Sequence, residues 1–167
     1  MNTPEKEKLF LQLLEENKDR IYRLCFGYLN IKSEVDDLFQ EVMVNIWKGL
    51  GSFRGQSQIS TWVFRIAVNT ALLYNKKLKR QKIFGSREMD LFLEQNGNDA
   101  EIDEKLAVLH KCIARLKKQE RLIISLLLEG LSYKEIAEIT GLTLSNTGVK
   151  INRIKQTLEK LMKNEEI

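Results

Sequence analysis

The chain contains a single proline, Pro4, among its 167 residues, so helix-breaking residues are nearly absent from it. Apolar residues recur at helical spacing almost throughout, and no apolar and polar alternation with hairpin turns is present. No apolar run is long enough to span a membrane, although hydrophobic residues make up 43% of the chain and can form a core. Residues 1–8 are polar and carry no apolar core of a signal peptide. The sequence therefore predicts an all-α protein that is not membrane-inserted and lies in the cytoplasm.

Cysteine and histidine are also scarce, with two cysteines and one histidine in the chain. Cys25 and Cys112 each sit in an apolar helical stripe, which favours buried, reduced thiols and excludes a disulfide scaffold. His110 lies near Cys112, but no second pair of ligands follows at the spacing of a zinc site. We therefore expect no metal and no cofactor, and we interpret His110 as a residue at the edge of the core.

The same scarcity argues against catalysis, because the sequence pairs no nucleophile with a base. Asp36 and Asp37 are adjacent carboxylates, but no further metal-binding pattern accompanies them. An enzyme acting on nucleic acid is therefore the weaker interpretation, and no catalytic residue is predicted.

Charge is distributed unevenly along the chain, although the net charge of +4 at pH 7 is modest. Such a charge permits nucleic-acid binding without requiring it. Asp36, Asp37 and Glu41 lie together on one predicted helix. Basic residues form two other groups, one of Lys76, Lys77, Lys79, Arg80 and Lys82 and one of Lys150, Arg153, Lys155 and Lys160. Separate acidic and basic faces predict two kinds of partner.

Helical periodicity in the first half of the chain predicts a group of packed helices. Apolar spacing indicates one helix over 9–14 and a second helix, or its continuation, over 21–29. A third helix is expected to be capped by Ser33 and a fourth by Ser60. Between these two helices, residues 51–59 are rich in glycine, serine and glutamine, which predicts a loop.

The periodicity weakens in the middle of the chain, where Asn96–Asp99 has the chemistry of a turn. Further helices are predicted over about 101–115 and 119–129. We therefore expect one domain at 5–82 and a second at 101–163, joined by a linker at 83–100.

The last third of the chain has the pattern of a helix-turn-helix. Ser132 and Glu135 form a capping box for a short helix, and Gly141 sits where a tight turn between helices needs a left-handed backbone. The predicted buried stripe of the following helix consists of Thr147, Ile151, Ile154, Leu158 and Leu161. Its opposite face presents Ser145, Asn146, Val149, Lys150 and Arg153. A basic face with an asparagine suits a DNA groove, although plain helical bundles contain similar helix pairs.

Two long motifs resemble those of the extracytoplasmic-function (ECF) sigma factors of RNA polymerase. The residues that resemble the promoter-melting domain of that family are 36–42, Trp47, 53–57 and 60–70. Residues 130–137, with the helix after them, are similar to its second domain. The resemblance implies a transcription initiation factor with two helical domains. The alternative is a regulator that binds duplex DNA without joining polymerase.

The resemblance implies that an acidic helix face binds the clamp of the largest subunit of core RNA polymerase. That face consists of Asp36, Asp37, Gln40 and Glu41. Exposed carboxylates there would supply complementarity and orientation more than affinity, and without the resemblance we would interpret them as a solvated face. The other implied partners are the flap of the polymerase, promoter DNA and a membrane-bound anti-sigma factor.

The resemblance also implies that strand separation at the −10 element occurs on the loop 53–59 and the helix after it. Residues expected to contact a flipped base are Arg54, Gln56, Ser57 and Gln58, with Asn69 and Thr70 one helical face away. Cations expected to follow phosphates are Arg65, Lys76, Lys77 and Arg80. Phe64 is expected to be the exposed aromatic residue, whereas Trp47 and Trp62 are expected to pack in the core.

The second helix of the helix-turn-helix is implied to enter the major groove of the −35 element. The candidate readers are the five residues of its free face given above, and Tyr133 and Lys134 would brace the DNA backbone. Thr147 occupies an inward position that is usually aliphatic in the family. Gly148 costs about 1 kcal/mol of helix propensity and would allow a close approach to DNA.

Overall fold

The computed structural model describes residues 1–82 and 100–165, without the side chains of residues 82 and 100–103. Its α-helices are α1 (Thr3–Leu29), α2 (Lys32–Gly49), α3 (Ile59–Lys82), α4 (Ala100–Ala114), α5 (Lys118–Leu128), α6 (Tyr133–Thr140) and α7 (Leu144–Glu165), and a short 3-10 helix, Leu50–Ser52, follows α2. These ranges contain no strand, so the predicted all-α fold is confirmed. Residues 83–99 of the predicted linker lie outside the described residues.

The first two predicted helices form one continuous helix, α1. The side chain of Asn2 accepts the Glu5 N–H at 2.9 Å, and the Glu5 carboxylate accepts the Asn2 N–H at 3.2 Å. This reciprocal capping box satisfies two backbone donors at the start of α1. The helix ends at Asn30, which adopts a left-handed conformation with φ of 61°.

Two predicted caps are wrong, because α2 and α3 each begin before the serine that was expected to cap them. The N-cap of α2 is Ile31, whose carbonyl accepts the Val35 N–H at 2.8 Å, and Ser33 lies inside the first turn. The carbonyl of Gln58 accepts the Trp62 N–H at 3.0 Å, so Ser60 also lies inside its helix. Backbone hydrogen bonding therefore starts two residues earlier than the serines suggested.

The core of the first half lies between α1, α2 and α3, which pack against one another. α1 buries Ile21, Leu24 and Tyr28, and the apolar sides of α2 and α3 close over them. The buried residues of α2 and α3 include Val35, Leu38, Val42, Ile46, Phe64, Val68 and Leu78. These buried residues recur on one side of each helix at steps of three and four, as expected for amphipathic helices that pack on a common core.

The second half packs α4, α5 and α6 around α7. Ile151 and Ile154 are buried on α7 and belong to the same apolar cluster as Ile113, Leu126 and Ile136. Cys25 in the first half and Cys112 in the second are both buried free thiols, as predicted. Burial raises the pKa of the Cys25 thiol to about 12, so this group stays protonated.

The two halves are in direct contact. α1 packs against α5, and α3 packs against α6. His110 on α4 meets the ring of Phe26 on α1 edge-on, with 5.8 Å between ring centroids. Burial lowers the pKa of His110, which is therefore a neutral residue at the edge of the core. The buried apolar residues of both halves form one cluster across this contact.

Candidate functional site

The helix-turn-helix has the local geometry that its sequence predicts. The Ser132 hydroxyl accepts the Glu135 N–H at 3.1 Å, and the Glu135 carboxylate accepts the Ser132 N–H at 2.7 Å. Gly141 has φ of 76°, a conformation that a side chain disfavours. The Thr143 hydroxyl accepts the Asn146 N–H at 3.1 Å at the start of α7. The capping box therefore fixes the start of α6, and the turn between α6 and α7 is held by the bond from the Gly141 N–H to the Ala137 carbonyl at 2.9 Å and by Thr143 at the start of α7.

The faces of α7 are divided as the sequence predicts. Buried residues of α7 are Thr147, Ile151, Ile154 and Leu158, and Leu161 is partly buried against the core. The predicted DNA-facing residues Ser145, Asn146, Val149 and Arg153 are exposed, and Lys150 is half-buried. The Thr147 hydroxyl donates to the Thr143 carbonyl at 2.9 Å, which explains how a polar residue is accommodated in the inward stripe.

α6 contributes Tyr133 and Lys134 beside this face. Lys134 is exposed, whereas Tyr133 is half-buried. A Cβ atom added at Gly148 would lie 3.9 Å from the Tyr133 ring, so the two helices approach closely at this point. Tyr133 therefore braces α7 and presents only part of its ring to a ligand.

α3 presents a polar face that includes most of the residues expected near the −10 element. Asn69, Lys76, Lys77 and Arg80 are exposed, and Arg65 is half-buried. These side chains are spaced along about four turns of one helix, long enough to follow a nucleic-acid strand.

Phe64 was expected to be exposed, and this prediction is wrong. Its side chain is only 1% exposed. Phe64 lies on the buried stripe of α3 that continues through Val68 and Ala71. Its ring is covered by the guanidinium of Arg20, whose central carbon lies 4.8 Å from the ring centroid. Phe64 is therefore unavailable for stacking on a base.

Thr70 is also placed differently from the prediction. It is buried, and its hydroxyl donates to the Ile66 carbonyl at 2.7 Å. The same hydroxyl accepts a hydrogen bond from the Asn45 side-chain amide at 3.1 Å. Because both bonds lie inside the protein, Thr70 joins α3 to α2 and does not contact a base.

The loop between the 3-10 helix and α3 displays polar side chains. Arg54, Gln56 and Gln58 are exposed, and Ser57 is half-buried. Gly55 adopts φ of 70°, which turns the chain at the centre of the loop. The loop is therefore open to a partner on the side that carries these residues.

Trp62 packs against the core, as predicted, whereas Trp47 is half-buried on α2 and contacts a neighbouring ring. The rings of Phe53 and Trp62 are 5.1 Å apart between centroids, which anchors the loop to α3. Trp47 meets Phe10 edge-on at 5.4 Å, and the Lys6 ammonium lies 4.4 Å from its ring centroid.

The acidic face of α2 borders a cleft of about 500 Å³ between α2 and α3. Asp37, Gln40 and Glu41 line this cleft and are exposed, and Lys77 lines its opposite side. Asp36 differs from them because it is half-buried and accepts the Tyr22 hydroxyl at 2.9 Å. The structure therefore brings three of the four predicted residues together and uses the fourth within the fold.

A basic groove of about 800 Å³ lies where the two halves meet. The cations that line this basic groove are Lys76, Lys79, Lys117, Lys118, Lys150 and Arg153. Lys79, Lys117 and Lys118 were not among the predicted site residues. The adjacent lysines at the start of α5 were visible in the sequence, but their proximity to α3 and α7 depends on the contact between the halves.

The part of the chain that the structure describes contains neither a candidate metal site nor a candidate membrane span. No group of three or more His, Cys, Asp or Glu side chains is placed to hold a metal ion there. None of the helices formed by these residues is both long and apolar enough to cross a membrane.

Two family models match this sequence, and they match it in separate segments. Sigma-70 region 2 matches residues 13–81, and Sigma-70 region 4 matches residues 106–158. The first segment contains α2, the polar loop and most of α3, and the second contains the helix-turn-helix.

Curated relatives match along nearly their whole length. The RNA polymerase sigma factor SigV of Bacillus subtilis is 29% identical over 156 residues, which cover 93% of this chain and 89% of that protein. The ECF RNA polymerase sigma-E factor of Escherichia coli strain K12 is 29% identical over 167 residues, which cover 92% of this chain and 86% of that protein.

Two solved structures share the fold. The sigma factor RpoE, in a co-crystal with the anti-sigma factor NepR from Bartonella quintana, matches with a TM-score of 0.77 and 22% identity, covering 93% of this chain and 98% of that one. CnrH, in complex with the cytosolic domain of CnrY, matches with a TM-score of 0.69 and 21% identity, covering 95% of this chain and 90% of that one.

Proposed function

The chain belongs to the sigma-70 family as an ECF sigma factor, and on that premise we propose that it directs core RNA polymerase to promoters and opens them. The observation that carries the proposal is the presence in one chain of two different faces. An acidic face on α2 suits a protein partner, and a basic face on α7 suits a DNA groove. A regulator that only occupies duplex DNA would need the second face alone.

The acidic face of α2 is proposed to bind the clamp of the largest polymerase subunit. Asp37, Gln40 and Glu41 are exposed together along one cleft, so a basic partner can reach all three. Asp36 is proposed to stabilise the packing of α1 on α2 and not to contact the clamp, since its carboxylate is engaged by Tyr22. Contact with the polymerase flap is proposed for the second half of the chain, on the strength of the family alone.

Promoter melting at the −10 element is proposed for the loop before α3 and the polar face of α3. The exposed side chains of Arg54, Gln56 and Gln58 can donate hydrogen bonds to a base that has left the stack, and Ser57 and Asn69 lie on the same two elements. Sequence-tolerant phosphate contacts are proposed for Arg65, Lys76, Lys77 and Arg80.

Recognition of the −35 element is proposed for the free face of α7. Asn146 and Lys150 suit the edges of purines, Val149 suits a thymine methyl group, and Arg153 suits a guanine or a phosphate. Ser145 and Lys134 flank these residues and can contact the backbone, as can the exposed edge of Tyr133.

An anti-sigma factor is proposed as the regulatory partner, because both solved structures of similar fold hold such a partner or a cytosolic domain bound to the factor. The proposal includes a membrane-bound form of that partner and a cytoplasmic location for the factor itself.

Two domains at 5–82 and 101–163 are proposed to move apart when polymerase is bound.

The direct test is promoter opening with purified core RNA polymerase on a mixture of DNA fragments. Unpaired thymines are detected by permanganate, with and without the protein. Opening at discrete sites that requires the protein supports the proposal. Binding to duplex DNA that needs no polymerase and opens nothing would support the regulator instead.

A pair of variants separates docking from melting in the same assay. The double variant Asp37→Asn with Glu41→Gln should weaken binding to core polymerase and reduce opening in proportion. The double variant Gln56→Ala with Ser57→Ala should leave polymerase binding intact and reduce opening more than formation of the closed complex. Equal losses at both steps for the loop variant would contradict its role in melting.

A further inference from the structure

The basic groove concentrates positive charge from three helices. α3, the start of α5 and α7 each contribute two cations, which are Lys76, Lys79, Lys117, Lys118, Lys150 and Arg153. Glu120 is the one carboxylate among the described residues that line the groove. Its side chain accepts the Lys117 N–H at 3.2 Å, so it is engaged at the start of α5. Cations gathered in this way repel one another, and an anion in the groove would relieve that repulsion.

The start of α5 adds a positive potential of its own. The first N–H groups of a helix have no partner within the helix, and the helix dipole makes this end positive. Lys117 is the N-cap of α5, and a lysine side chain cannot accept the hydrogen bonds of these groups. Lys118 follows at the first helical position. Carboxylates are favoured at such a helix end and cations are not, so two lysines beside free N–H groups favour an anion from outside the chain.

The walls of the groove are ordered without a ligand. The Lys118 ammonium donates to the side-chain carbonyl of Asn75 on α3 and lies 5.9 Å from the centroid of the Tyr28 ring on α1. α5 is itself fixed on α1, where the Arg23 guanidinium donates two hydrogen bonds to the Glu129 carboxylate, at 2.7 and 2.9 Å. The groove is therefore preformed, as small-molecule sites usually are.

A smaller side cavity of about 190 Å³ adjoins the basic groove, and the two share the lining residues Leu72, Gln119, Ile123 and Lys150. Its other walls are mostly apolar and also carry the polar side chains of Asn69 and Thr140. The Thr140 hydroxyl donates to the Ile136 carbonyl at 2.7 Å, so its oxygen is still able to accept a hydrogen bond. Apolar walls with a few polar groups are typical of small-molecule sites.

The two spaces together indicate the chemistry of an occupant. The groove has a volume of about 800 Å³, within the range of about 300–1,000 Å³ for small-molecule sites. Its cations suit a chain of phosphates. The side cavity suits a flat ring that makes apolar contacts with its faces and hydrogen bonds at its edge. Duplex DNA does not fit, because a major groove admits a single helix, whereas α3 and α5 line the basic groove together with α7.

We propose that the basic groove and the side cavity form a binding site for a nucleoside triphosphate. The phosphates lie along the groove at the start of α5, between the cations of α3 and α7. The base enters the side cavity beside the amides of Asn69 and Gln119. A bound nucleotide occupies Lys150 and Arg153 and so excludes DNA from the free face of α7. The exclusion of DNA rests on the proposed function, whereas the binding of the nucleotide does not.

The first experiment titrates ATP and GTP into the full-length protein, with neither polymerase nor DNA present, and measures the Kd by calorimetry. Inorganic tripolyphosphate is the comparison, because it carries the phosphates without a base. At least one of the nucleotides should bind about tenfold more tightly than tripolyphosphate, since the side cavity adds contacts to the base. Absence of saturable binding by both nucleotides would overturn the proposal, as would equal affinity for tripolyphosphate.

A double variant tests the phosphate contacts without changing a residue proposed to bind DNA. Lys79→Gln with Lys117→Gln should raise the Kd of the nucleotide and of tripolyphosphate alike, by about tenfold. The matched control is Lys48→Gln with Lys155→Gln, which removes the same charge from two exposed lysines that do not line the groove. Equal weakening by both pairs would show that the nucleotide responds to net charge and has no site in the groove.

A third variant, Leu72→Trp, tests the placement of the base. Leu72 lines both spaces and is 38% exposed, so a larger ring can be accommodated there while it narrows the side cavity. The variant should lose the preference for the nucleotide over tripolyphosphate and keep its affinity for tripolyphosphate. Gln119→Leu, which removes an amide from an exposed position, should reduce the same preference. Full retention of the preference by both variants, with folding checked by circular dichroism, would refute the assignment of the base to the side cavity.

Discussion

The hydroxyl of Tyr22 donates a hydrogen bond to a carboxylate oxygen of Asp36 across 2.9 Å, and this contact ties the last third of α1 to the first turns of α2. The ring of Tyr22 also meets Phe39 edge-on, with 5.5 Å between centroids. Asp37, the next residue, is exposed and lines the cleft between α2 and α3. Adjacent carboxylates therefore have different tasks, one within the fold and one on its surface.

Replacing Tyr22 with phenylalanine separates these tasks. The free energy of unfolding should fall by about 1.5–3 kcal/mol, because one hydrogen bond to a charged group is lost while the ring contact remains. Binding to core polymerase should change little. Asp37→Asn should give the opposite pattern. Its free energy of unfolding should stay within about 0.5 kcal/mol of that of the unmodified protein, and its binding to core polymerase should be weaker. Urea unfolding and a fluorescence binding assay measure both quantities, and a large loss of polymerase binding in Tyr22→Phe would contradict this assignment.

The helix-turn-helix could be predicted from the sequence because local chemistry determines it. A capping box needs only Ser132 and Glu135 at the right spacing, and a left-handed turn residue needs only Gly141. The inward stripe of α7 follows from the spacing of its apolar residues. None of these features depends on another part of the chain, which is why the structure agrees with them.

α3 could not be assigned in the same way, because apolar residues surround much of its first three turns. Trp62, Val63, Phe64, Ile66 and Val68 leave the buried direction undetermined by periodicity alone. The packing of α1 and α2 decides it, and it turns Phe64 and Thr70 inward. The contact between α1 and α5 was equally beyond prediction, since its residues are far apart in sequence and polar.

Two glycines of the helix-turn-helix should respond oppositely to alanine. Gly141→Ala should lower the free energy of unfolding by about 1–2 kcal/mol, because φ at this position is 76°. Gly148→Ala should raise it by about 1 kcal/mol, since the residue lies inside α7 and the added methyl group would lie 3.9 Å from the Tyr133 ring. Urea denaturation of the two variants measures both effects.

The Gly148→Ala variant also tests the close approach to DNA at this position. If α7 lies deep in the major groove at Gly148, the Gly148→Ala variant should bind the −35 element of a promoter less tightly, although its fold is more stable. Unchanged affinity would show that Gly148 is a helix defect without a part in recognition.

Arg153→Ala should weaken binding of the complex with core polymerase to a promoter. Loss of a phosphate contact lowers the slope of log K against log salt concentration by about one and acts equally on all sequences. Loss of a guanine contact costs about 1–3 kcal/mol on the preferred sequence and relaxes specificity there. Lys160→Ala, an exposed cation nearer the end of α7, is the matched control. Unchanged binding by Arg153→Ala would remove this residue from the interface.

Burial of Cys25 predicts a loss of stability at alkaline pH. The pKa of the thiol is raised to about 12 in the folded protein. In the unfolded chain the pKa of a cysteine thiol is about 8.5. Because the folded pKa is the higher one, the contribution of the neutral thiol is complete below about pH 8.5 and is lost as pH rises toward 12. The slope of this loss is about 1.4 kcal/mol per pH unit.

The variant Cys25→Ala isolates this effect from the titration of lysines and tyrosines, which both proteins share. At pH 7 the variant should be less stable than the unmodified protein, because it leaves a small cavity beside Leu24 and Tyr28. At pH 10 the unmodified protein should have lost about 2 kcal/mol through Cys25, so the difference between the two should shrink or reverse. Urea unfolding at both pH values measures it. An identical difference at pH 7 and pH 10 would mean that water reaches the thiol in the folded state, and that the core around Cys25 is looser than its burial indicates.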